Sequence, residues 1–342
     1  MINVRPFGTL PDGQSVDEYT LTNAHGTKLC VIPYGAIVTQ LHVPDRHGRL
    51  ADVTLGYDTL EPYLSNPNFF GCITGRVAGR INNGRFTLDG KPYQLERNLP
   101  PHHLHGGRGA LNARLWSATP VGDHAIKFTY LSADGDNGYP GNLKLAVTYT
   151  LTDDNAWQVD EKATADAPTP LSMTQHAYFN LAGHDAAAPL DHVVQIHADE
   201  FVPVDDVCTL LGRREPVNGE PCDLRTPKRL GDVIDSLQLR HGDLYVLPSP
   251  GTMQLAATVR HDATGRQMTV LTTDPMMQFY TGVNMKPGVG KGGAAHGKFS
   301  GLGFEAQNYP DGVNTPDLGD IILRPGQAYR QTTSYQFSTF PE

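Results

Sequence analysis

An arginine and a histidine stand in two glycine-punctuated segments in the first third of the chain. Arg80 lies within residues 75–81 and His105 within residues 104–107. A guanidinium donates several hydrogen bonds in a fixed geometry, and an imidazole exchanges a proton near neutral pH. Glycines beside such residues allow a ligand or a neighbouring strand to come close to the backbone. The two segments therefore indicate chemistry on a polar ligand.

Residues 171–180 alternate between polar and apolar side chains, which is the pattern of a β-strand. The polar face carries Ser172, Thr174, His176, Tyr178 and Asn180. Such a face suits a carbohydrate, because hydroxyl groups need hydrogen-bond partners while the C–H faces of a sugar pack on aromatic rings. The same alternation also fits a solvent-facing strand edge, where His and Thr are common without a function.

Two further alternating segments contribute a carboxylate and an amide. In residues 301–309, two glycines precede Glu305 on one strand face and leave space for a ligand beside the carboxylate. A bulge with a surface glutamate is the other interpretation of this segment. In residues 276–282, Gln278 is able to donate to and accept from a hydroxyl group, or it lies at the edge of a core strand.

The histidines also raise the question of a metal ion. His103 and His105 form a His-x-His pair, but no glutamate follows within residues 106–110. The chain has no His-Glu-x-x-His motif either. The glycine-rich residues 288–293 lack the spacing of a phosphate-binding Walker loop. We therefore predict no metal and no cofactor.

The elements that must position these residues are β-strands. Gly (36 residues) and Pro (26 residues) separate short alternating runs, which is typical of an all-β chain. Residues 143–159 predict a hairpin, and residues 329–337 predict a strand near the C-terminus. The best helical pattern begins with Thr226 as N-cap and Pro227 in the first turn. Its apolar face carries Leu230, Val233, Ile234 and Leu237. We predict one large antiparallel domain over residues 1–342.

Composition limits the possible partners and the cellular location. The 342 residues include 27 Lys and Arg against 36 Asp and Glu, so no basic stripe is available for a nucleic acid. The N-terminal residues have no signal-peptide pattern, and no apolar run reaches the length of about 18 residues that a transmembrane helix needs. We expect a cytoplasmic protein without nucleic-acid or membrane partners. Its four widely spaced cysteines are expected to be free and buried.

Taken in order, these segments resemble the aldose 1-epimerase (galactose mutarotase) family. The resemblance covers nearly the whole chain. Its motifs are residues 34–36, 43–45, 54–57, 75–84, 104–107, 134–141, 176–183, 278–282 and 304–311. The resemblance implies a large antiparallel β-sandwich with few short helices, and a sugar in an open cleft on one face.

The resemblance also implies which residues carry the reaction. Glu305 matches the catalytic base of the family, and His176 matches the catalytic acid. His105 matches a second active-site histidine. In such a reaction the base takes the proton of the C1 hydroxyl while the acid protonates the ring oxygen. Rotation about C1–C2 and closure of the ring then give the other anomer.

Further residues match positions that contact the sugar. Arg80 and Gln278 match residues that bind sugar hydroxyls, and Tyr178 and Asn180 are expected to join them. Asp243 is the only aspartate of residues 241–247, a segment that is one residue shorter than the family pattern. We assign Asp243 to the family's substrate-binding aspartate.

Two departures from the family pattern lie beside these predicted contact residues. His103 stands where asparagine is common, and Gly79 stands where some members of the family carry asparagine. Both positions are expected to influence sugar preference.

The implied function is the interconversion of the α and β anomers of free aldohexoses such as D-galactose and D-glucose. The expected partner is the small-molecule aldose alone, bound by a monomer or a weak homodimer. A carboxylate and a protonated imidazole are sufficient for the reaction, and each favours the charged form of the other. Alternatives are an epimerase of a hexose 6-phosphate or a disaccharide, and a non-catalytic carbohydrate-binding module.

Overall fold

The computed structural model describes residues 2–237 and 242–341. The short alternating runs form strands, because every second side chain reaches the core while the next faces away from it. The first strands in chain order are β1 (Ile2–Thr9), β2 (Ser15–Thr22), β3 (Lys28–Ile32), β4 (Ile37–Pro44), β5 (Leu50–Asp52), β6 (Ile73–Thr74), β7 (Arg80–Ile81), β8 (Arg85–Leu88), β9 (Lys91–Gln94) and β10 (His103–Leu104). The next are β11 (Ser117–Val121), β12 (Ala125–Ser132), β13 (Leu143–Leu151), β14 (Ala156–Ala165), β15 (Thr169–Pro170), β16 (Thr174–Gln175), β17 (Tyr178–Phe179), β18 (Val193–Ile196), β19 (Glu200–Phe201) and β20 (Glu215–Pro216).

The remaining strands belong to the last third of the chain. They are β21 (Lys228–Arg229), β22 (Asp243–Val246), β23 (Gln254–His261), β24 (Arg266–Thr272), β25 (Met276–Tyr280), β26 (Gly288–Val289), β27 (Ala295–His296), β28 (Leu302–Gln307), β29 (Ile322–Leu323) and β30 (Tyr329–Thr339). The α-helices among the described residues are α1 (Leu60–Ser65) and α2 (Leu230–Val233). Short 3₁₀ turns occupy Asn82–Gly84, Leu111–Ala113, Asp136–Gly138, Ile234–Ser236 and Lys291–Gly293.

Three antiparallel sheets contain most of these strands. The largest has nine strands in the order β11-β12-β13-β14-β30-β24-β23-β18-β21. A six-stranded sheet has the order β17-β28-β25-β22-β19-β20. The N-terminal strands form a five-stranded sheet in the order β1-β2-β3-β4-β5. All-β architecture with few short helices is confirmed.

The nine-stranded and six-stranded sheets share one hydrophobic core. Tyr335 of β30 packs its ring 5.0 Å from Trp157 in the same sheet and 5.1 Å from Phe179 in the other. Its hydroxyl donates to the carbonyl oxygen of Phe304 in β28 at 3.1 Å. The two sheets therefore pack face to face, as in a β-sandwich. The opposite face of the six-stranded sheet points away from this core.

The predicted hairpin and the predicted C-terminal strand are confirmed, whereas the predicted helix start needs correction. The hairpin is β13 and β14, and the predicted C-terminal strand is β30. The predicted helix begins later than Thr226 and Pro227 suggest, since Lys228 and Arg229 pair with β18 before α2 starts. Pairing with the sheet thus overrides the local capping signal.

The predicted continuous strand over residues 171–180 is divided into β16 and β17. β16 pairs with β6 and β17 pairs with β28, and residues 176 and 177 lie between them. Its polar face is buried rather than solvent-facing, which removes the strand-edge interpretation.

The cysteines make no disulfide. Three of them are buried, whereas Cys208 is half-buried, which corrects one of the four expectations. Among the described residues, no helix combines the length and the apolar composition that crossing a bilayer requires.

Candidate active site

A cleft of about 740 Å³ opens on the face of the six-stranded sheet that points away from the core. β28 and β25 form its floor, because directly paired residues of antiparallel strands share a face. The residues that line the cleft include Phe69, Arg80, His105, His176, Tyr178, Gln278, Tyr280 and Glu305. Residues far apart in the sequence thus meet at one polar site.

Glu305 lies at the centre of this floor, paired with Gln278 of the neighbouring strand. Its side chain is 1% exposed, and neither carboxylate oxygen has a hydrogen-bond partner among the described residues. A Cβ at Gly303 would stand 3.2 Å from Oε1, so the glycine leaves room beside the carboxylate. Burial raises the pKa of Glu305, and the nearby His176 and Arg80 partly lower it.

His176 follows β16 and reaches the same floor from the side. Its Nε2 lies 3.6 Å from Oε1 of Glu305, and both side chains are buried. Nδ1 has no hydrogen-bond partner in the part of the protein described. A buried carboxylate and a buried imidazole at this separation form an acid–base pair whose charged forms support each other.

His105 is held by two hydrogen bonds to one residue. Its backbone N–H donates to the carbonyl oxygen of Gly79 at 2.9 Å, and the Gly79 N–H donates to His105 Nδ1 at 3.1 Å. Because Nδ1 accepts a hydrogen bond, the proton of the neutral ring must be on Nε2. Burial holds the pKa of His105 well below its ordinary value, and His176 and Arg80 lower it further. His105 is therefore a neutral hydrogen-bond donor.

Arg80 lies in β7, which pairs with β10, so Arg80 stands opposite Leu104 and next to the His105 turn. The guanidinium is half-buried and lines the cleft. Burial lowers its pKa, while Cys208 and Glu305 act in the opposite direction. An arginine remains protonated in proteins, so the site keeps one fixed positive charge.

Two predicted contact residues do not line this cleft. Asp243 pairs with Phe279, which belongs to the core, so alternation directs its side chain to the core face of β22. Asn180 is fully buried and donates to the carbonyl oxygens of Ala187 and Ser300. These hydrogen bonds give Asn180 a part in holding neighbouring loops. His241, from the same segment as Asp243, lies outside the described residues.

Two aromatic residues of the cleft have no counterpart among the predicted site residues. Phe69 packs its ring 4.8 Å from His105 and 5.7 Å from His176. Tyr280 lies 6.1 Å from Tyr178 and accepts the backbone N–H of Asn284. The sequence could have indicated Tyr280 as a site residue, because it alternates with Gln278 along β25 and so shares its strand face. Phe69 lies in a turn, where no such alternation indicates the direction of a side chain.

His103 faces away from the cleft, and both of its ring nitrogens have partners within the protein instead of being available to a metal ion. Its Nδ1 lies 2.7 Å from the carbonyl oxygen of Glu96, and its Nε2 lies 2.9 Å from the hydroxyl of Tyr139. Both ring nitrogens are thus used within the fold. His103 and His105 do not act as a pair.

Two groups of described residues bring three possible metal ligands within 4.8 Å of one another. The first is His105, His176 and Glu305. A nitrogen ligand must be free of its proton, whereas the hydrogen bond from Gly79 leaves the proton of His105 on Nε2. This donor set suits a proton-transfer site better than a metal centre.

The second group is Asp191, His192 and His261, outside the cleft. Nε2 of His192 accepts the Leu181 N–H at 2.9 Å, so its proton is on Nδ1 and is shared with Asp191 at 3.0 Å. Asp191 also lies 3.2 Å from His261. These contacts form a hydrogen-bond network that holds β18 and β23 near residue 181.

A buried carboxylate and a buried imidazole thus face each other in an open polar cleft on one face of a β-sandwich. The family model for aldose 1-epimerase matches residues 17–336. The chain belongs to the aldose 1-epimerase family and is an enzyme of that kind.

Individual relatives agree with this assignment over nearly their full length. The chain is 42% identical over 335 residues to galactose mutarotase of Rattus norvegicus, covering 97% of both proteins. It is 34% identical over 345 residues to aldose 1-epimerase of Escherichia coli K12, covering 98% of this chain and 99% of that protein. The crystal structure of an aldose epimerase homologue from C. elegans superposes with a TM-score of 0.88 at 30% identity, covering 94% and 98% of the two chains.

Proposed function

We propose that this enzyme interconverts the α and β anomers of free aldohexoses such as D-galactose and D-glucose, with Glu305 as base and His176 as acid. The observation that carries the proposal is their juxtaposition, with 3.6 Å between Nε2 and Oε1 in a buried position on the cleft floor. The 42% identity to a galactose mutarotase supports the choice of substrate.

In the forward direction, the Glu305 carboxylate takes the proton of the C1 hydroxyl, and His176 gives its proton to the ring oxygen. The C1–O5 bond then breaks and C1 becomes an aldehyde. After rotation about C1–C2, O5 attacks the other face of C1, and both protons return by the reverse route. The raised pKa of Glu305 favours this cycle, because a base works best when its pKa approaches the operating pH.

His105 and Arg80 support the opening ring in different ways. His105 offers the Nε2–H of a neutral ring, so it stabilises negative charge on a sugar oxygen without giving up a proton. Arg80 supplies a positive charge and several donors for hydroxyl groups. Gln278, Tyr178 and Tyr280 line the same floor and offer further polar groups to the substrate.

The test is polarimetry on freshly dissolved α-D-galactose and α-D-glucose. The enzyme at catalytic concentration should accelerate the approach to the equilibrium rotation. Glu305→Gln and His176→Gln should each lower kcat by about 10²- to 10⁴-fold, the usual contribution of a general acid or base. Wild-type acceleration retained in Glu305→Gln would reject the mechanism. Sugar binding without any acceleration by the wild type would instead favour a binding module.

The volume of the cleft favours a second class of substrate, the reducing disaccharides. At about 740 Å³ it lies in the upper part of the range of about 300–1,000 Å³ that accommodates drug-sized ligands. A reducing end seated at Glu305 would leave space for a second ring. A phosphate has weaker support, because Arg108 at the cleft is paired with Glu96 at 3.2 Å. Polarimetry with lactose and with a hexose 6-phosphate, compared with the free hexose, separates these substrates.

A further inference from the structure

In the part of the chain that the structure describes, no polar group fixes the orientation of the His176 ring. Its Nδ1 lacks a hydrogen-bond partner among the described residues, and its Nε2 lies 3.6 Å from Glu305, beyond hydrogen-bond length. Catalytic histidines are usually oriented by a hydrogen bond to the second ring nitrogen. His105 follows that rule through Gly79, whereas His176 does not. Packing must therefore orient His176.

Three rings contact the imidazole of His176. His105 lies 5.2 Å away at 84°, Tyr178 lies 5.1 Å away at 46°, and Phe69 lies 5.7 Å away at 33°. Phe69 also packs 4.8 Å from His105 at 61°. Phe69 is thus the non-titrating ring that touches both histidines, and it fixes their separation without adding a charge.

An unusual turn places the Phe69 ring against both histidines, and all three residues line the cleft. Its φ is 58°, in the left-handed region that an aromatic residue rarely adopts. Asn66, itself 3% exposed, holds this turn from both sides of Phe70: its Oδ1 accepts the Phe70 N–H at 2.9 Å, and its Nδ2 donates to the Phe70 carbonyl oxygen at 3.1 Å. Phe69 N–H donates to the Asn66 carbonyl oxygen at 2.9 Å. A strained backbone at an active site persists only where neighbours enforce it.

We propose that Phe69 is a positioning residue that orients the His176 imidazole toward the substrate, and that Asn66 acts through it by enforcing the left-handed turn. The inference deepens the function proposed above and rests on it for the kinetic part. The side chain of Asn66, which also lines the cleft, bonds both backbone groups of Phe70 and so holds the turn that carries Phe69.

The charged and titratable groups around the two histidines come from several elements. The carboxylate of Glu305 in β28 lies within 4.8 Å of a ring nitrogen of each histidine, and the charges of Arg80 in β7 and His103 in β10 lower the pKa of His105. Tyr178 of β17 and Tyr280 of β25 complete the surroundings of Glu305. Replacing Phe69 leaves all of these groups in the protein. A change in kcat when Phe69 is replaced therefore reports altered orientation and packing of the histidines, and not the loss of a charge.

The kinetic test compares Phe69→Ala, Phe69→Leu, Phe69→Tyr and Asn66→Ala by polarimetry. We expect kcat of Phe69→Ala to fall by about tenfold to a hundredfold with KM changed far less, because misplacement of a reacting group by about 1 Å has effects of this size. Asn66→Ala should shift kcat in the same direction, and Phe69→Tyr, which keeps the ring, should recover most of the loss.

The matched controls lie in the same fold but away from the cleft. Phe7→Ala removes a half-buried ring that packs 6.3 Å from Tyr63. Asn23→Ala removes another asparagine that holds a turn, with Oδ1 accepting the N–H groups of His25 and Thr27 at 3.0 Å each. Either control should lower thermal stability and leave kcat near the wild-type value. Equal losses of kcat in the controls would overturn the assignment.

A spectroscopic measurement tests the positioning of His176 independently of enzymatic activity. In protein with ¹⁵N-labelled histidine, the ring nitrogens of His176 should shift or broaden in Phe69→Ala and Asn66→Ala, whereas those of His105 should change less because Gly79 holds its Nδ1. Unchanged His176 signals together with wild-type kcat would overturn the proposal. If the wild type does not accelerate mutarotation, the proposed function fails, and the ring signals still test the positioning. Should Phe69→Ala fail to fold, Phe69→Leu carries the same comparison.

Discussion

Glu305→Gln should produce an enzyme that is inactive and yet more stable than the wild type near pH 8. The wild-type carboxylate is 1% exposed and has no hydrogen-bond partner among the described residues. Burial raises its pKa above the ordinary value of 4.5, so the folded state holds the proton more tightly than the unfolded chain. Wild-type stability therefore falls as the pH rises above 4.5, until Glu305 is ionised in the folded state as well.

The size of the gain follows from the removed charge. A buried polar group without a partner costs about 1–3 kcal/mol, and more when it is charged. Glutamine keeps a buried amide, so the substitution removes only the cost of burying the charge. We therefore expect the free energy of unfolding to rise by about 1–2 kcal/mol. With an unfolding entropy of about 2.1 cal/mol/K per residue, this corresponds to a rise in Tm of roughly 1–3 °C.

The measurement is thermal unfolding of both proteins between about pH 5 and pH 8, with mutarotation followed in parallel. The difference in Tm should be smaller at the acidic end and grow toward pH 8, because the raised pKa of Glu305 makes the wild type lose stability as the pH rises above 4.5. Glu220→Gln, at an exposed carboxylate, serves as the control and should show no such trend. A variant that is less stable than the wild type at pH 8, or a difference independent of pH, would refute the reasoning.

Three further predictions concern the surroundings of the site and the core. Gly79→Ala should destabilise the fold by about 1–3 kcal/mol and lower kcat, because the residue has a φ of +74° and a Cβ there would stand 2.7 Å from Pro310. The free energy of unfolding is measured by urea titration. The control Gly122→Ala, at a φ of +62° with open space around it, gives the cost of the backbone conformation without the steric contact. Asp274→Asn should raise the free energy of unfolding near pH 8 and leave it unchanged near pH 4, because burial raises the pKa of Asp274 to about 7 and the wild type loses stability between its ordinary value of 3.8 and that value. Dialysis against a chelator should leave kcat unchanged, and a loss restored by one particular divalent ion would contradict the proton-transfer assignment of the three-residue cluster.

Much of the framework was open to prediction from the sequence, because alternation is a local signal. The strands that carry Gln278 and Glu305 follow from their period of two, and pairing then brings the two residues to one face. The helix start was predicted wrongly, since Thr226 and Pro227 give a capping signal while pairing of β21 with β18 decides the boundary. Local preference gives way where the sheet offers hydrogen bonds to the same backbone.

The parts of the site that escaped prediction depend on contacts between distant segments. The family resemblance implies Asp243 as the only aspartate of residues 241–247, but its register against Phe279 directs the side chain to the core. Phe69 was overlooked because its position depends on a left-handed turn and on the side chain of Asn66. The hydrophobic pattern determines neither the register of paired strands nor the conformation of a turn. Residues whose position depends on these features can therefore be placed only when the backbone is known.

The two histidines of the cleft have different roles although both are buried beside the same carboxylate. His105 receives a hydrogen bond from the Gly79 N–H, and a lone pair used in this way keeps the ring neutral. His176 receives none from the described residues, and its Nε2 faces Oε1 of Glu305 at 3.6 Å. In the mechanism we propose, a single backbone N–H therefore distinguishes the neutral donor His105 from the acid His176.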